Sequence, residues 1–178
     1  MSVPPMPNDA RHKVLHRAIG EFITTWCHVE WNLVLVFSGL TRCDLNRSRM
    51  VLAAIINFRA RRELVDRLGR AYLPDARLSD WAKLIAQLKH LSEKRNHLAH
   101  RRAYYLERST FRFFSDEDEH QPNTFGRYTD YQIGNIRAWT KEAADLNESL
   151  MRWFQSFMRE ELLQMPRVIP EPEQDQES

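Results

Sequence analysis

Glycine is scarce in this chain, with five among 178 residues, and cysteine scarcer still, with only Cys27 and Cys43. The two thiols stand sixteen positions apart, in no C-x-x-C pair and no metal-ligand spacing. They read as free thiols of a reducing compartment, which excludes a disulfide-stapled secreted scaffold. Long apolar runs are missing too: the longest such window, Val29 to Leu40, is interrupted by Glu30 and Asn32. That is too short and too polar to cross a bilayer. The N-terminus, MSVPPMPNDA, lacks the basic start and apolar run of a secretory signal. The expectation is a cytoplasmic protein with no membrane partner.

Charge of one sign is also missing, since the formal net charge is +2. Such a balance is weak evidence for a nucleic-acid partner, but the charge is uneven. From Pro166 to Ser178, Arg167 faces Glu171, Glu173, Asp175 and Glu177, a net of −3 that leaves +5 on the rest. A hydrophobic share of 43% in a chain of this length builds one domain with a real core.

What is present is helical spacing. Residues 1–8 hold three prolines and no periodicity, and read as a flexible lead. Asn8 or Asp9 then caps a long first helix. In it Leu15, Ile19, Phe22, Trp26, Val29, Leu33, Val36 and Leu40 recur at alternating spacings of four and three, one stripe of an α-helix. Trp31, Val34 and Leu35 lie off that stripe, so its second half is either centrally buried or faces another subunit. A second helix is predicted from about Asn46 to Tyr72, with Val51, Ala54, Ile55, Phe58, Val65, Leu68 and Tyr72 inward, arginines outward and Pro74 as its stop. Ser79 or Asp80 caps a third, carrying Trp81, Leu84, Leu88, Leu91, Arg95 and Leu98 on one side. Arg95 thus interrupts an apolar stripe, where a charge is costly unless it is paired or reaches a wet cleft.

Between Arg101 and Asp130 the helical spacing vanishes, and aromatics, an acidic run and turn residues predict a long loop with one short β-hairpin. Thr129 or Asp130 opens the last helix, to roughly Leu163, with Ile133, Ile136, Trp139, Ala143, Leu146, Leu150, Trp153 and Phe157 inward. The expected fold is all-α: a four-to-five-helix antiparallel bundle over residues 9–164, with a loop or hairpin insert before the last helix. Residues 165–178 read as a disordered acidic tail.

The chemistry concentrates in Lys89 to Arg102, KHLSEKRNHLAHRR, which holds an R-N-x3-H set: Arg95, Asn96 and His100. An arginine can hold phosphate oxygens, a histidine can move a proton near neutral pH, and an amide can orient either. In an ideal helix Asn96 and His100 share a face, whereas Arg95 stands about 140° from His100. A second copy of the motif across a twofold axis would bring two arginines and two histidines around one phosphate.

This R-N-x3-H string, late in a helix and followed by a loop and a last amphipathic helix, resembles the HEPN superfamily, the higher eukaryote and prokaryote nucleotide-binding domains. The architectural likeness covers roughly residues 12–164; the specific part is six residues. The resemblance implies a metal-independent endoribonuclease, with no cofactor, whose site forms at a homodimer interface. Arg95, Asn96 and His100 would be catalytic. His100 would act as base on a ribose 2′-OH or as acid on the leaving 5′-oxygen, and Arg95 would stabilise the phosphorane-like transition state. The family also implies a role as toxin or in antiviral defence, and an antitoxin or regulatory protein as a further partner. One branch is regulated on a tyrosine two residues after the histidine; Arg102 stands there in this chain.

Lys94, His97, Arg101 and Arg102 surround the motif and are the expected contacts to the RNA backbone, against the plainer reading of a charged helix end. Glu30, a carboxylate amid apolar residues, is the expected orienting partner of Arg95. A metal cluster of His90, Glu93, His97 and His100 is disfavoured by the lysines and arginines around it. His12 and His16 read as solvated. The arginines at 59, 61, 62, 67 and 70 read as a salt-bridged face, with Glu63 and Asp66 as i,i+4 partners of Arg67 and Arg70. Two other readings compete with the nuclease: a non-catalytic nucleotide- or RNA-binding module, and a helical protein-interaction domain.

Overall fold

The computed structural model describes residues 9–106, 109–114 and 129–164, apart from the side chains of residues 9–10 and 161–164. The proline-rich lead with Asn8, the acidic run after Phe114 and the acidic tail lie outside the described residues. Among the described residues five helices occur in order: α1 (Asp9–Thr41), α2 (Leu45–Ala54), α3 (Phe58–Tyr72), α4 (Asp75–His100) and α5 (Ile133–Gln164). Between α4 and α5 lie β1 (Arg102–Tyr105), β2 (Thr110–Phe114) and β3 (Thr129–Gln132). The all-α bundle with an insert before its last helix is therefore the observed fold.

The apolar stripes of α1 and α5 form the spine. All eight expected inward residues of α5 are buried, and so are those of α1 except Ile19, which is partly buried. Asn32 of α1 donates Nδ2 to Oδ1 of Asn147 at 2.8 Å, and Gly39 lies against Phe154 and Met158. Those pairings advance together along both helices, so α1 and α5 run in the same direction. His90 of α4 lies 3.9 Å from Glu142, whereas Arg77, earlier in the same helix, reaches Glu160 at 3.0 Å; α4 therefore runs the opposite way.

The predicted second helix is two helices. Ile55 adopts an extended backbone (φ −91°, ψ 111°), and Asn57 caps α3 by accepting from Ala60 N at 2.7 Å. Two β-branched residues followed by a good capping side chain break the helix there, although the apolar spacing runs on through the break. As a result Leu52 is buried, while Val51, Ala54 and Tyr72, expected inside, are exposed. The start of α4 is also corrected. Asp75 opens it after Pro74, which is preset for that position and makes no side-chain cap, so Ser79 and Asp80 lie within the helix.

The insert is a three-stranded antiparallel sheet in the order β1-β2-β3 rather than one hairpin. Residues 129–132 form its third strand, with Phe111 opposite Tyr131, so the last helix begins only at Ile133. Phe111 and Phe113 point into the core and are fully buried. The sheet caps the end of the bundle where α4 finishes and α5 begins. His12 of α1 lies edge-on to Phe111 at 6.0 Å, with its Nε2 buried and unpaired, so it is a packed residue and not a solvated one.

Candidate active site

Helix α4 delivers the motif to this sheet-capped end. Trp81, Leu84, Leu88, Leu91 and Leu98 are buried along its inner side, and Arg95 sits at the middle of that arc. The arginine is only half-buried. Nη1 donates to Asn96 Oδ1 at 3.2 Å, while Nε is buried without a hydrogen-bond partner. Asn96 is exposed and shares a face with His100, the last residue of α4, which is exposed as well. The Asn96 hydrogen bond thus draws the guanidinium around the helix toward the histidine.

Glu30 does not orient Arg95. Its carboxylate accepts from Trp26 Nε1 at 2.6 Å and lies 4.0 Å from Arg61 Nη1, on the α1–α3 side of the bundle. The expected pair fails because Arg61, beyond the helix break at Ile55, is carried to Glu30 instead. Among the described residues Arg95 therefore has no carboxylate partner.

The four basic neighbours divide. Lys94 is half-buried, with Nζ 5.2 Å from the centre of the Trp139 ring on α5, where a cation–π contact holds it. Arg101 is the extended C-cap of α4, and Arg102 begins β1 and is exposed. His97 is the most constrained. Its Nδ1 lies 2.9 Å from the Tyr131 hydroxyl, and Tyr131, 8% exposed, packs edge-on against Trp139 and beside Phe113. Burial pushes the His97 imidazole below its ordinary pKa, and the positive charges of Arg101 and Lys94 push it further, against a smaller opposing effect of Glu93. Burial likewise raises the Tyr131 phenol. At neutral pH the pair is neutral on both sides.

Tyr131 is the site residue that sequence reasoning missed. The only signal was a tyrosine in a polar T-D-Y-Q segment, which helix-start logic assigned to a cap. Its neighbours fix the strand: Arg112 grips Asp130 with two hydrogen bonds of 2.8 Å, which hold that carboxyl below its usual range.

The second basic run is largely neutralised in place. Arg59 pairs with Glu63 at 2.7 Å and Arg70 with Asp66 at 3.1 Å, and Arg62 is 9% exposed. Glu63 is taken by Arg59 and not by Arg67. Among the described residues no three His, Cys, Asp or Glu side chains form a metal-sized group, and no helix is long and apolar enough to cross a membrane. No protein-family model, curated protein or solved structure matches this chain.

Proposed function

We propose that the chain is a metal-independent endoribonuclease of the HEPN type, working as a homodimer whose two R-N-x3-H motifs share one cleft. The observation that carries the reading is Arg95, a cation at the centre of an apolar face with no acid among the described residues to neutralise it, turned toward the face that holds Asn96 and His100. A structural arginine at such a place finds a carboxylate. One that meets only an amide keeps its charge for an external anion, and phosphate is the anion that a forked guanidinium fits.

In the reaction the ribose 2′-oxygen attacks phosphorus, the P–O5′ bond breaks, and a 2′,3′-cyclic phosphate and a 5′-OH result. Arg95 offsets the charge that builds on the non-bridging oxygens, Asn96 holds the guanidinium in place, and His100 transfers a proton. Lys94, His97, Arg101 and Arg102 line the approach. A role as toxin or in antiviral defence, with an antitoxin or other regulatory partner, follows from the resemblance alone.

The test is to incubate the purified chain with mixed RNA in EDTA beside Arg95→Ala and His100→Ala. Cleavage lost in both folded variants, with DNA untouched, supports the reading. Mixing the two inactive variants should restore part of the activity if the site is composite, and a cleaving monomer would refute the shared cleft. RNA binding without cleavage would select the non-catalytic module.

One observation favours the protein-interaction reading. Trp31 is 43% and Ile56 96% exposed, with Met50 and Val51 also exposed, which leaves apolar side chains open along α1, α2 and the link after α2. That reading gains if both variants fold and bind no RNA.

A further inference from the structure

Cleavage through a 2′-oxygen moves two protons, one off the nucleophile and one onto the leaving oxygen, and each copy of the motif supplies one histidine. His97 stands one turn before His100, about 60° around the helix, with about 5–6 Å between Cβ atoms. The His97 ring is held at one nitrogen: Nδ1 bonds the Tyr131 hydroxyl at 2.9 Å, and Tyr131 is fixed by Phe113 and Trp139. The other nitrogen, Nε2, bonds to none of the described residues and is not among the buried unpaired polar atoms, so it is reachable from solvent.

We infer that His97 is the general base of the proposed ribonuclease and Tyr131 its positioning residue, leaving His100 as the general acid. This rests on the ribonuclease reading. In the base form Nδ1–H donates to the Tyr131 oxygen and the lone pair stands on Nε2. Nε2 takes the 2′-OH proton as the O2′–P bond forms, and the His100 imidazolium gives its proton to O5′ as P–O5′ breaks, so the enzyme's net protonation is unchanged. The groups around the ring suit a base. Lys94 and Arg101 on α4 disfavour its protonation, Glu93 opposes them weakly, and β3 contributes the neutral Tyr131. The same two cations attract the substrate phosphate.

The experiment is steady-state cleavage of a single-stranded oligoribonucleotide in EDTA from pH 5 to 9, with NMR titration of the His97 ring in the RNA-free protein. His97→Gln should lower kcat by about 10²-fold with KM little changed, and abolish the acidic limb of the kcat profile. Tyr131→Phe should lower kcat by about tenfold at unchanged KM. Arg101→Gln should move both the acidic limb and the His97 titration to higher pH. If His97→Gln retains wild-type kcat and both limbs while Arg95→Ala and His100→Ala are inactive, the base assignment falls and the ribonuclease reading stands. A wild-type chain that cleaves no RNA overturns both. Should His97→Gln fail to fold, an acidic limb unmoved in Arg101→Gln overturns the assignment.

Discussion

Arg95 donates Nη1 to Oδ1 of its neighbour Asn96 at 3.2 Å, while its own Nε is buried with no partner. A side chain so placed lowers the stability of the fold and keeps a charge ready, the combination expected of a residue kept for chemistry.

Arg95→Met should therefore separate stability from activity. The thioether continues the apolar stripe of Leu88, Leu91 and Leu98, so the folded state should gain about 1 kcal/mol in urea denaturation, relieved of an unsatisfied buried donor. RNA cleavage should disappear. A loss of more than about 1 kcal/mol would identify Arg95 as a structural residue.

Stability should depend on pH through His97. Its folded pKa lies below the ordinary value of 6.5, so the unfolded chain binds the proton first as pH falls. Stability is complete above that value, declines as pH drops through it, and levels off below the folded pKa. Urea midpoints at pH 7.5 and 5.5 should show the decline, and His97→Gln should reduce it. A wild-type midpoint that rises on acidification would contradict this sign.

Gly69 is buried where α3 meets α4, and a Cβ there would fall on the Trp81 indole, whose Nε1 donates to Asp66 at 3.0 Å. Neither ring nor backbone can yield, because Trp81 also packs on Trp153 at 5.0 Å. Gly69→Ala should cost about 2–3 kcal/mol, read as a lowered Tm, despite the better helix propensity of alanine. Gly20 has open space around it, so Gly20→Ala should be neutral or slightly stabilising.

Asn32 is buried at 4% exposure and bridges α1 to α5 through the side chain and carbonyl of Asn147, at 2.8 and 3.1 Å. Asn32→Ala should cost about 1–3 kcal/mol in thermal or urea unfolding, since it strands polar groups between the two longest helices. An unchanged Tm would mean that water replaces the amide.

Much of the fold was legible because it is local. Leu15 to Leu40 and Ile133 to Phe157 repeat at spacings that only one helical face can satisfy, and those faces are the core. The break between α2 and α3 was illegible for the same reason: Val51, Ile55 and Phe58 keep the rhythm across a point where Ile55 ends one helix and Asn57 caps the next. Periodicity records which side faces inward, not where the chain turns.

The sequence by itself determined the helical class and the string Arg95, Asn96 and His100, since side-chain identity and spacing along one helix need no other part of the chain. Only the tertiary structure decided the rest. It gave Glu30 to Arg61, left Arg95 without an acid among the described residues, and brought Tyr131 from the far side of the insert to His97. Such pairings join residues far apart in the chain, and their hydrogen bonds are set by how helices and strands dock, which no local spacing encodes.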